Sequence, residues 1–284
     1  MPELSRVLIT LIGVELILFI APPIFASVLP PAWARAFWED TTPLGTTLSF
    51  GSFAVILILF HPLVRATHRR GIGSMIGPYR TAWNDYLVAL AGVGAVLIAV
   101  EIAPPFIDLA ELSTIRRPVS WVMWVPVALV VITVQSATEE VIYRGYLQQQ
   151  MAVRSSHPVV WMVFPSVVFG GAHYFNGFGP ADGILWALWA MALGLACADL
   201  TARTGSIGAA IGLHSANNIY ASLIVGIEDW PATGFAMFLY PYEDPSNYDY
   251  SLFALAQPWA VFDFATSMMM VYVMWLAARV ALRR

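Results

Sequence analysis

Lysine is absent from this chain: all 14 of its basic residues are arginine. That removes Schiff-base chemistry and the lysine that nucleotide-binding loops place on phosphates. Cysteine is nearly absent as well. The single Cys197 can form no internal disulfide, and within the apolar run "WALWAMALGLACADL" it reads as packing rather than as a nucleophile. The 5 histidines are scattered, with no H-E-x-x-H pair and no Cys/His zinc spacing. Charge is scarce, 11% of 284 residues against 59% hydrophobic. A chain of this composition with long apolar runs reads as a polytopic helical membrane protein, because hydrocarbon leaves the backbone no partners but its own.

Eight stretches approach the roughly 20 apolar residues that a span needs: 6–29, 44–64, 84–104, 119–150, 158–175, 183–201, 205–226 and 255–281. The expected fold is therefore all-α, a transmembrane bundle of about eight spans forming one membrane domain over 1–284. The first stretch follows Arg6 and imitates a signal peptide, but Pro22 and Pro23 interrupt it and no A-x-A site follows; it reads as a retained helix. Arg6, Arg65, Arg69, Arg70, Arg80, Arg154, Arg203, Arg279, Arg283 and Arg284 fall on one side of such a bundle. Only Arg35, Arg116 and Arg117 fall on the other, whose long loop at 226–251 carries five acids and no base. Positive loops stay inside, so both termini are expected in the cytoplasm.

Against this background "SATEEVIYRGYL" (136–147) places two carboxylates and an arginine inside an apolar stretch. Ionised groups at that depth are costly and face a protein interior with a partner or a function. Glu140 and Arg144 are four apart and can pair on one helical face. Glu139 lies about 100° further round, without that partner, in the kind of apolar setting that tunes a carboxyl for general acid or base work. In "FPSVVFGGAHYFNGFGP", Phe169 and His173 are four apart, with Gly170 and Gly171 between them to admit a neighbouring helix. In "RTGSIGAAIGLHSANNIY", His214 and Asn218 share one face while Gly208 and Gly212 form a G-x-x-x-G notch on another. Counted at about 1.5 Å per residue from the cytoplasmic ends, Glu139 lies about 16 Å deep, His173 about 22 Å, His214 about 14 Å and Asn218 about 20 Å. A common slab near mid-membrane points to a shared polar cavity rather than to isolated interhelical contacts. Glu15, Glu101 and Asp263, and the i,i+4 pair Asp199 and Arg203, read as structural.

The ordered pattern E-E-x-x-x-R, F-x-x-x-H, H-x-x-x-N resembles the CPBP family of intramembrane proteases. That family includes CAAX prenyl endopeptidases and bacteriocin-processing and self-immunity proteins. The resemblance covers about 120–225, leaving 1–119 and 226–284 as accessory spans. It implies that Glu139 and His173 activate a water, that His214 and Asn218 donate to the oxyanion, and that Glu140, Arg144 and Phe169 support them. It further implies a peptide or protein substrate held at membrane lipid, prenylated or not, no nucleic-acid partner, and a prokaryotic plasma membrane as the location. The family is described both as metal-dependent and as glutamate-dependent. No cofactor is expected here, because Asn218 on the His214 face suits an oxyanion better than a zinc second shell; zinc is the alternative, since two histidines and a glutamate match a catalytic set in type. A proton or solute pathway would use similar residues, but no second copy of these segments marks the paired repeats of a transporter. A silent scaffold or immunity protein would not need all four positions filled.

Overall fold

The computed structural model describes residues 3–103 and 110–284. Helix α1 (Leu4–Ser27) continues through Pro22 and Pro23, near its end, rather than stopping at them. It is followed by α2 (Pro31–Glu39), α3 (Pro43–His68), α4 (Gly73–Ile76) and α5 (Tyr79–Ile102). After β1 (Thr114–Ile115) comes α6 (Pro118–Glu140), which passes without a break into a π-helical segment, Val141–Gln148, and then α7 (Gln149–Ala152). Helix α8 (Phe164–Ala172) sits between a π turn, Val159–Val163, and a 3-10 turn, His173–Asn176. The remaining elements are α9 (Pro180–Thr204), α10 (Gly208–Ile219), β2 (Val225–Ile227), β3 (Phe238–Tyr240) and α11 (Pro258–Leu282).

Six helical stretches among the described residues are long and apolar enough to cross a membrane: α1, α3, α5, Pro118–Ala152, α9 and α11. The other two expected spans, 158–175 and 205–226, are not single long helices. The first changes winding around Pro165 and ends in a 3-10 turn at His173; the second gives α10 and then a π turn, Tyr220–Ile224. The all-α expectation holds apart from a three-stranded sheet of short strands in the order β1-β3-β2, with Thr114 opposite Leu239 and Val225 beside Phe238.

Contacts within the chain define two compact units. One comprises Met1–Ser74, Leu97–Glu139 and Ser215–Tyr242; the other comprises Met75–Val96, Glu140–His214 and Glu243–Arg284. In the first, α1 lies along α3, where Thr10 donates to Thr67 Oγ1 at 2.8 Å and Gly13 faces Leu63. Thr42 caps α3 by accepting from the Gly45 amide at 3.1 Å. An apolar cluster of Ala128, Ile132, Leu223 and Phe235 anchors α6, and Trp121 Nε1 donates to the Leu223 carbonyl at 2.9 Å.

In the second unit α9 is the most buried of the spans, and close approach of backbones sets its neighbours. A Cβ on Gly170 would stand 2.4 Å from the Ala187 carbonyl, so α8 lies directly on α9. A Cβ on Gly208 or Gly212 would stand 1.9 Å from the Ala82 carbonyl or 2.4 Å from that of Tyr86, so the expected glycine notch seats α10 on α5. Cys197 is buried with Sγ against the Ala210 carbonyl, as packing requires. Asp199 and Arg203 pair at 2.7 Å, and Trp275 Nε1 from α11 also donates to Asp199 at 2.9 Å.

Candidate active site

The charged motif is tolerated because its surroundings are protein. Residues 138–148 are all buried, on every face of the helix. Its π-helical winding begins immediately after Glu140; such wide turns recur at functional sites because they reposition side chains that an α-helix would spread.

In the second unit Glu140 is the hub. Its Oε1 accepts from Arg144 Nη1 at 3.0 Å and from His214 Nδ1 at 2.8 Å, and the three side chains are 0%, 1% and 3% exposed. The expected Glu140–Arg144 pair is therefore present, with an imidazole added. The guanidinium lies over the Phe169 ring at 4.5 Å. That ring also packs on His173 at 4.5 Å and edge-on to His214 at 5.9 Å. Gly194 of α9 supplies the room: a Cβ there would stand 2.8 Å from Arg144 Nη2. Glu140 Oε2 and Arg144 Nη2 are buried with no hydrogen-bond partner among the described residues.

The two imidazoles have defined tautomers by their partners. His173 Nδ1 is 2.8 Å from the Phe169 carbonyl; a carbonyl only accepts, so Nδ1 carries the proton and Nε2 presents a lone pair. His214 Nδ1 donates to the Glu140 carboxylate in the same way, so hydrogen-bond donation from Nε2 requires the imidazolium, whose charge Glu140 offsets.

Glu139 and Asn218 fall in the first unit. Glu139 is buried at the end of α6. Asn218 Nδ2 donates to Gln135 Oε1 at 2.8 Å, and Asn218 Oδ1 accepts from Asn217 at 2.9 Å. Sequence reasoning passed over Gln135, although an amide one turn before Glu139 in an apolar span is a signal of the same kind. It also passed over Gly194, which nothing in the local sequence distinguishes.

A cavity of about 390 Å³ in the second unit is lined by Met75, Arg144, Gln148, Trp161, Thr201 and Ser206 among others, and by none of Glu139, His173 or His214. Among the described residues no three His, Cys, Asp or Glu side chains are grouped to hold one metal ion.

Comparison with known proteins bears on the same segment. A Bacillus subtilis (strain 168) protein, "Uncharacterized protein YyaK", is 25% identical over 165 residues, 57% of this chain. The aligned stretch spans 55% of that relative's length. No solved structure matches the chain. Residues 121–220 match the family described as type II CAAX prenyl endopeptidase Rce1-like, and all three motifs, from Glu139 through His173 to Asn218, lie inside that match.

Proposed function

We propose that this integral membrane protein is an intramembrane endopeptidase that hydrolyses a peptide bond of a membrane-associated or lipidated substrate, with 120–225 as its catalytic core. The observation that carries this reading is the commitment of Glu140 to both Arg144 and His214. That commitment supports reading Glu140 as a positioning group and Glu139 as the base.

In the proposed reaction Glu139 takes a proton from water, and His173, with its Nε2 lone pair, holds that water by accepting its second hydrogen. The water oxygen bonds to the substrate carbonyl carbon. The resulting oxyanion receives hydrogen bonds from His214 Nε2, as the imidazolium, and from the second Nδ2 hydrogen of Asn218, the first being used by Gln135. The C–N bond then breaks and the proton on Glu139 passes to the leaving amine. No metal enters these steps.

The test is cleavage of paired prenylated and unprenylated peptides by purified protein, with and without chelator. Cleavage that survives chelation and is lost in Glu139→Gln is expected; reversible inactivation by chelator, restored by zinc, would overturn the glutamate mechanism. The arginine asymmetry supports cytoplasmic termini, and we place the protein in a prokaryotic plasma membrane on the family resemblance. A reporter after Arg284 is expected inside and one near Asn247 outside, and the reverse result would invert the face from which substrate enters.

A further inference from the structure

Glu15 has no place in the proposed chemistry, yet it lies 11 residues into the 24-residue α1, about 16 Å along a helix of about 36 Å. That is mid-membrane depth. It points outward from the protein and makes no hydrogen bond or ion pair with any described residue. Mid-membrane carboxyls normally face a protein interior, so this flank of α1 lacks its covering. Among the outward residues of α1, Leu8, Ile12 and Phe19 lie on the same flank as Glu15 and are 50%, 61% and 79% exposed. Their positions, 8, 12, 15 and 19, are spaced 4-3-4, the spacing of a left-handed helix–helix seam with one polar position in it.

We propose that this seam pairs with α1 of a second copy of the chain, with Glu15 opposite its symmetry mate. Two copies in one membrane share a topology, so a two-fold axis along the membrane normal makes the helices parallel and puts both carboxyls at the same depth. In a parallel seam, like positions face each other. An unlike partner would have to bring a donor to that depth by coincidence, whereas a protonated Glu15 is itself both donor and acceptor. One carboxyl donates its proton to the other, and no external cation is needed. Arg6, the basic residue on the same helix, is nine positions away, about 13 Å, and is too far to serve.

The experiment counts subunits of the full-length protein in lipid vesicles by single-molecule photobleaching across a range of protein-to-lipid ratios. Dimers are expected for the wild type and for Glu15→Gln, whose amide keeps donor and acceptor. Glu15→Leu is expected to weaken dimerisation by about fivefold to thirtyfold, the size of an interhelical hydrogen bond in a bilayer. Ile12→Cys should cross-link on oxidation and Ile24→Cys, on another flank of α1, should not; the native Cys197 is buried and adds no background. Monomers at every ratio, as lipid or an unlike helix on this flank would give, overturn the proposal. So does a dimer that is indifferent to Glu15→Leu or fails to cross-link at Ile12.

Discussion

Helices α1 and α6 are both apolar spans that carry glutamate far from either end of the chain's polar loops, and hydropathy alone ranks α1 as the better membrane helix. Their carboxyls live differently. At the C-terminal end of α6, Glu139 and Glu140 are enclosed by protein, and Glu140 holds a guanidinium and an imidazole on one oxygen. On α1, Glu15 faces outward with apolar neighbours. The same side chain in an apolar span is thus either enclosed and partnered or left uncovered, and what surrounds the helix decides which.

The largest expected consequence of that difference is at Glu139. Replacing it by glutamine should lower turnover by about 10²- to 10⁴-fold, the worth of a general base, while the detergent-extracted yield stays near wild type; substantial residual cleavage would remove the base from α6. Next come His214→Ala and Asn218→Ala. Each should lower kcat by about 10²- to 10³-fold with KM nearly unchanged if they serve the oxyanion. A loss confined to KM would make them substrate-binding groups instead.

Glu140→Gln and Arg144→Ala should differ from Glu139→Gln in kind. Breaking one member of a buried pair leaves the other uncompensated, at a cost of about 3 to 5 kcal/mol, so thermal unfolding should shift together with activity. If unfolding is unchanged, the buried network is not what holds this helix.

A smaller effect is expected at Asp40, an acid outside the spans at the left-handed C-cap of α2. Burial raises its pKa above the ordinary 3.8, against hydrogen bonds from Thr46 and Ser49 that lower it. The folded state therefore prefers the protonated acid, and stability contributed by that preference is present below 3.8 and is lost as pH rises through the raised value. Asp40→Asn, which tolerates positive φ, should unfold at a slightly higher temperature than wild type at neutral pH and lose that advantage in acid. The smallest effect should be that of Glu15→Gln, which is expected to leave cleavage within about twofold, because α1 contributes none of the groups that would meet the peptide.

The motif spacings foretold two of the contacts around the candidate site. Glu140 and Arg144 pair as their four-residue separation requires, and Gly208 and Gly212 seat α10 on α5 as a G-x-x-x-G notch should. The joining of His214 to Glu140 was not legible, because it depends on how α10 meets the π-helical turn across 74 residues of sequence. Nor was that turn itself, since a period of 3.6 carries no sign of where an extra residue is absorbed. The segments 158–175 and 205–226 read as spans by their count of apolar residues, which gives no sign of the changes of winding at Phe164, His173 and Tyr220.

What the sequence determined by itself was the solvent and the chemistry available. Its length of apolar runs and its three ordered motifs mark a membrane bundle that carries carboxylate, imidazole and amide groups in its apolar segments. That Glu140 also meets His214, and which face of each helix is covered, was decided only by tertiary structure. The first rests on a 2.8 Å contact between separate helices, and in a low-dielectric interior a charged group's free energy is set by the partners at that range as well as by its neighbours along the chain.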